Sequence, residues 1–344
     1  MDATRILRRP RVVIVGCGDV GLRAAQCLLA SAARPRVIAL TSQPERAATL
    51  RVAGLMPVVG DLDALRSVRR LAGLAPTVLH LAPPPQHGED DPRTRALIAA
   101  LTAPRPIRAA RPSLAAATRR SKRRVRRLLA SSDKTYIVTE PPVAAGPARS
   151  PVRLVYASTT GVYGDCGGAL IDETRPVHPT NARAKRRVAA ERLLRAASAR
   201  GAMSASIVRI PGIYAADRLP LARIERRTPA LVDADDVYTN HIHADDLAAI
   251  LVRAAVRAPT ARVFHASDDT VLKMGAYFDR VADAFGLARV PRVALADAEG
   301  QLAPLTLSFM RESRRLSNSR LKRELRFTLR YPSVDDFLRT VRVK

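Results

Sequence analysis

"RVVIVGCGDVGLRAAQCLLAS", residues 11–31, passes from an apolar run through three glycines into a segment whose apolar residues recur at helical spacing. Val12 to Val15 read as a strand buried on both faces, since no polar residue alternates with them. Gly16, Gly18 and Gly21 then form Gly-x-Gly-x-x-Gly between strand and helix, the setting that gives this pattern meaning. The first glycine allows a tight turn, the second lets a pyrophosphate approach the backbone, and the third brings helix and strand close. A helix opening at Asp19 and Val20 would offer such an anion its unpaired N–H groups. The competing reading is a glycine-rich turn with no ligand.

Moving outward, "RVIAL" (36–40) is a second strand, after which a dinucleotide fold that takes NAD usually places an acid on the ribose 2′-hydroxyl. Here Thr41 and Ser42 stand there, followed by Arg46. Hydroxyls and a guanidinium can bond a 2′-phosphate that a carboxylate would repel, so the cofactor expected is NADP rather than NAD. Arg46 can also be read as a solvated helix residue. "MPVVGDLDAL" (56–65) supplies a third strand ending at Asp61, placed for the adenine, and "TVLHLAPPP" (77–85) a fourth ending in Leu81, Ala82 and Pro83. Strands alternating with helices predict α/β architecture, a Rossmann-type doubly wound parallel sheet.

Composition sets limits. The chain has 344 residues and a formal charge of +27. Three cysteines, Cys17, Cys27 and Cys166, without paired spacing argue against a disulfide framework or zinc site and for a reducing compartment, the cytoplasm by default. The basic N-terminus before "VVIV" resembles a signal peptide, but the apolar run is too short and Asp19 interrupts it. No apolar run is long enough for a membrane span. The charge invites a nucleic-acid reading, against which stand the general Arg and Ala bias and the absence of Trp.

Five stretches in order, "VGCGDVG", "HLAPPP", "VYASTTGVYGD", "RIPGIY" and "NHIHADDLA", resemble the extended and atypical short-chain dehydrogenases, specifically the NAD(P)-dependent epimerase/dehydratase family. That resemblance covers nearly the whole chain except about 104–150. It implies that Thr159 hydrogen-bonds the oxygen of the carbon that exchanges hydride, and that Pro211 passes beside the nicotinamide. Where family dehydratases carry Asp and Glu, this chain has Thr160 and Gly161, which cannot shuttle protons, so sugar dehydration is not expected. The family's Tyr-x-x-x-Lys falls on Asn181 and Lys185, which leaves the lysine to hold the ribose and removes the base. Tyr163, Asp165 and His178 are the nearby substitutes. His241, His243, Asp245 and Asp246 are read as structural rather than as a metal site.

The resemblance divides the chain into a Rossmann domain, 1–211 with 241–267, and a small C-terminal substrate subdomain, 212–240 with 268–344. Residues 104–150, containing "RRSKRRVRR", interrupt the first as a basic insertion. The function expected is hydride transfer between nicotinamide and a hydroxyl or ketone carbon, by an oxidoreductase or epimerase. A noncatalytic NADP-binding regulator and a nucleic-acid binder acting through the insertion are the alternatives. The partner expected is a small-molecule substrate, for which the charge admits an anion, with a homodimer left open.

Overall fold

A computed structural model describes residues 9–103, 151–298, 300–302 and 304–341. The basic insertion at 104–150, and with it the nucleic-acid reading, lies outside the described residues. The described parts flanking it belong to one compact unit.

The apolar run forms strand β1 (Arg11–Val15), and six further strands follow: β2 (Arg36–Thr41), β3 (Met56–Val59), β4 (Thr77–His80), β5 (Val152–Thr159), β6 (Met203–Ile210) and β7 (Val263–His265). They make one parallel sheet in the order β7-β6-β5-β4-β1-β2-β3. The α/β doubly wound fold read from the sequence is the fold observed. From β1 the chain steps outward to β3, then crosses back to β4 and proceeds the other way. This reversal opens a crevice outside the carboxyl ends of β1 and β4, where ligands of such sheets bind.

Helices cover both faces because every central strand is apolar on both. On one face α1 (Asp19–Ala30), α2 (Arg46–Val52), α6 (Ala244–Arg257) and α8 (Ser319–Leu325) bury Ala24, Leu28, Leu50, Leu247, Leu251 and Leu325. On the other, α3 (Leu65–Arg69), α4 (Pro92–Thr102) and α5 (Ala182–Ala199) bury Val68, Leu97, Leu101 and Leu194. A third apolar cluster joins Tyr214 to Tyr277, Phe278 and Val281 of α7 (Met274–Ala284) and to Phe337 and Leu338 of α9 (Val334–Val341).

The two outer strands present different edges. Gly60 donates its N–H to Thr41 O, so alternation turns Pro57 and Val59 of β3 away from β2. At the far side, Arg262 O and Ala266 N bond β6, which leaves Val263 and His265 facing outward. Arg320 donates to Val263 O at 3.2 Å, and His265 N donates to the Glu173 carboxylate at 3.0 Å. Arg320 and Glu173 are themselves paired at 3.3 Å.

Candidate functional site

Two clefts open at the carboxyl edge of the sheet. The first, about 300 Å³, lies at the switch point between β1 and β4. Gly16 adopts φ +89°, and a Cβ there would stand 2.4 Å from Ala82 N, so only glycine lets the two strand ends meet. A Cβ on Gly21 would stand 2.9 Å from Gly16 O, whereas one on Gly18 would meet nothing within 4 Å. Gly18 therefore faces open space, at the N-cap of a helix that no side chain caps. A dinucleotide pyrophosphate fits this arrangement: backbone N–H groups without partners, and room for close approach.

Thr41, Ser42, Arg46 and Asp61 line one end of the same cleft, and Leu81, Ala82 and Pro83 its β4 wall. Thr41 Oγ1 accepts from Gln43 N at 3.2 Å, which turns the chain after β2. Burial pushes the Cys17 thiol up to about 11, with the charge of Arg46 pulling the other way. Asp19, Val20 and Gly21 build the cleft without lining it. Asp19 bonds Arg23 at 2.8 Å and Arg218 at 3.0 Å, and Val20 packs into the core. Arg93 also lines the cleft and clamps Asp63 at 2.7 and 2.6 Å. Its distance along the chain from the glycine turn gave no signal of that position.

The second cleft, about 520 Å³, lies at the ends of β5 and β6 and is lined by Thr159, Asn181, Pro211 and Tyr238. Its volume falls in the ordinary range for small-molecule sites. Thr159 and not Ser158 faces it, because Ser158 Oγ turns inward to Glu191 at 2.6 Å. Asn181 caps α5, its Oδ1 accepting from Ala184 N at 2.9 Å.

The rotation of α5 is set by a buried ion pair. Glu191 meets Arg209 of β6 at 2.7 Å, with both side chains no more than 4% exposed. Positions four residues apart return to nearly the same helix face, so Arg187 and Arg183 continue the stripe that Glu191 begins. Both line the cleft, with Ala184 between them. Lys185, two positions and about 200° around the helix from Arg187, does not. Its ammonium pairs with Glu89 at 2.6 Å and is 41% exposed. The Asn-x-x-x-Lys pair is thus split, with Asn181 lining the cleft and Lys185 not, and the i, i+4 pair that lines it is Arg183 and Arg187.

Tyr163 is likewise placed elsewhere. It is 1% exposed, accepts from Arg209 at 2.6 Å, meets His265 at 2.5 Å, and burial pushes its hydroxyl up to about 12. That hydroxyl is committed to the core. Asp165 accepts from Ser313 N at 2.7 Å, as a residue that ties two loops together, and His178 is exposed. His241 stacks on Tyr277 at 4.1 Å, His243 caps α6, and Asp246 accepts from the N–H groups of Arg330 and Tyr331.

A family model described as the NAD dependent epimerase/dehydratase family matches residues 12–266. No curated protein matches the chain. Among solved structures, a functionally unknown conserved protein from Silicibacter pomeroyi is 23% identical, with 97% of this chain and 98% of that one covered at a TM-score of 0.66. The dTDP-glucose 4,6-dehydratase of Streptomyces venezuelae, solved with NAD bound, is 19% identical over 96% of each chain, at a TM-score of 0.67. UDP-N-acetylglucosamine 4-epimerase from Bacillus cereus is 15% identical over 97% of this chain and 100% of its own, at 0.60. With its glycine turn, parallel sheet and strand-end hydroxyl all inside the matched span, the chain belongs to the NAD dependent epimerase/dehydratase family.

Proposed function

We propose that the protein is an NADP-dependent oxidoreductase or epimerase acting on a small polar substrate. The observation that carries this reading is the pair of clefts along one sheet edge, the first shaped by Gly16 and Gly18, the second containing the Thr159 hydroxyl. Gly16 and Gly18 would hold the pyrophosphate, Thr41, Ser42 and Arg46 the adenosine ribose, and Ala82, Pro83 and Pro211 the remainder. The nicotinamide, when bound, supplies or accepts hydride. Thr159 donates to or accepts from the substrate oxygen and so fixes its position.

Residues 212–240 and 268–344 would form the substrate region, consistent with Tyr238 and Arg314 lining the second cleft. Nucleotide sugars are the first substrates to try, since the solved relatives include enzymes named for them. Thr160 and Gly161 carry no proton for dehydration, which favours oxidation, reduction or epimerisation.

The reading is tested by titrating the protein with NADPH and NADH by fluorescence, then following nicotinamide absorbance with a panel of nucleotide sugars. Tighter NADPH binding, weakened at least 10-fold in Arg46→Ala, supports the cofactor assignment, and equal affinities refute it. A second reading, a noncatalytic NADP-binding sensor, is favoured by the guanidinium groups on the α5 wall, which hold their protons at neutral pH. Binding without turnover on any substrate would support it.

A further inference from the structure

We propose that the second cleft holds an oxyanion of its substrate on the Arg183–Arg187 pair of α5, beside Thr159, with Arg223 as a third cation lining the same space. This deepens the oxidoreductase reading by naming the chemistry of its substrate, a carboxylate or phosphoryl group near the reacting carbon.

Four arginines line the cleft, Arg183, Arg187, Arg223 and Arg314, against one carboxylate, Glu312. Glu312 pairs with Arg314 at 2.9 Å, accepts from the Thr180 hydroxyl at 3.0 Å, and also acts on the charge of Arg183. Among the described residues Arg187 has neutral acceptors: its Nη1 donates to Tyr156 Oη at 3.1 Å and to Ala157 O at 2.7 Å. Its Nε and Nη2 have no acceptor among the described residues, so the outer side of the fork remains for a ligand. Arg223 donates Nη2 to Pro229 O at 2.7 Å, lies over the Phe278 ring at 4.8 Å, and leaves Nε buried with no hydrogen-bond partner among the described residues. Arg183 is exposed where it lines the cleft; partial desolvation lowers its pKa, Glu312 opposes, and the like charges of Arg187 and Arg186 add to the lowering. An anion between these groups would reverse that penalty.

A guanidinium offers parallel N–H donors that match carboxylate and phosphate oxygens, whereas its proton is too firmly held for acid-base exchange. The pair therefore orients and neutralises substrate charge. Arg187 is additionally fixed from behind by Tyr156 and the β5 backbone, and its rotation by the Glu191–Arg209 pair four residues on. Such preorganisation suits an anion site better than a flexible surface arginine does.

The test is isothermal titration of the full chain, with NADPH present, by malonate, inorganic phosphate and, as neutral control, malonamide. Wild type should bind malonate or phosphate saturably and ignore malonamide, with the tighter anion identifying carboxylate or phosphoryl as the natural group. Arg183→Gln should weaken that binding at least 10-fold and Arg183→Lys less. Arg195→Gln, which removes the same charge from a position of the same helix that does not line the cleft, should change it less than 2-fold. Unfolding midpoints identify a misfolded variant, and Arg187→Lys serves where Arg187→Gln fails to fold. Absence of saturable anion binding, or equal losses in the Arg183 and Arg195 variants, overturns the proposal. Failure of wild type to bind either NADPH or NADH would instead overturn the oxidoreductase reading, and the anion titration without cofactor would still decide this one.

Discussion

Replacing Glu191 by glutamine tests whether a buried charge pair holds the α5 wall in place. The change is isosteric and keeps an oxygen for the Ser158 hydroxyl, so packing and that hydrogen bond survive while one charge is lost. At 2.7 Å the gross attraction between Glu191 and Arg209, with an effective dielectric near 20, is about 6 kcal/mol. Desolvation offsets much of it in the native protein. In the variant, however, Arg209 stays 2% exposed with its charge uncompensated, and breaking one side of such a pair costs about 3–5 kcal/mol. Since whole-protein stability is on the order of 5–15 kcal/mol, the loss would be large. Equilibrium urea unfolding followed by circular dichroism at neutral pH reads it directly. Combining Glu191→Gln with Arg209→Met should recover part of the loss, because no unpaired charge remains. A single-variant loss below about 1 kcal/mol, or a double variant whose loss equals the sum of the two singles, would refute the argument.

Gly16→Ala should destabilise the fold and abolish NADPH binding, since its Cβ would stand 2.4 Å from Ala82 N at φ +89°. By contrast, Gly18→Ala, with open space around it, should leave the urea midpoint unchanged while weakening NADPH at least 10-fold in fluorescence titration. Asn181→Ala removes the α5 cap and should cost about 1 kcal/mol, whereas Asn181→Asp should restore it. Burial lowers His80, His241 and His265 from 6.5 to about 3 and His243 to about 4, so the unfolded chain binds protons that the folded one refuses. Their contribution is complete above about pH 6.5 and is lost toward pH 3, each worth on the order of 1.4 kcal/mol per pH unit. Asp268, raised by burial to about 7, opposes them, since its contribution is largest near pH 4 and lost as pH rises to 7. Urea midpoints at pH 5 should therefore fall below those at pH 7.5, and a rise would show that the histidine burial is overstated.

The strand, the glycine turn and α1 were legible because all their determinants are local: apolar identity, three glycines and helical spacing within residues 11–30. Thr159 was named by the family resemblance, and it stands at the last position of β5, lining the second cleft. The i, i+4 spacing on α5 was legible too, but not its phase. Asn181 with Lys185 and Arg183 with Arg187 satisfy the same spacing, and what separates them is the long-range pairing of Glu191 with Arg209 and of Lys185 with Glu89. Counting back four and eight from Glu191 would have found the arginines had its burial been known. The placement of Tyr163 was hidden for a similar reason, since its partners Arg209 and His265 lie on other strands.

The treatment of the outer strands bears on how this sheet avoids growing. An uncovered parallel edge offers a row of donors and acceptors to any extended chain, including another copy or a misfolding neighbour. Pro57 turns outward on β3 and has no N–H to offer, so the ladder to β2 is kept intact while recruitment is denied a rung. At β7 the outward carbonyl of Val263 and N–H of His265 are already occupied by Arg320 and Glu173, a charged clasp that a new strand would have to displace from both ends. Both margins are therefore poor templates for an added strand, which disfavours association between copies by extension of the sheet.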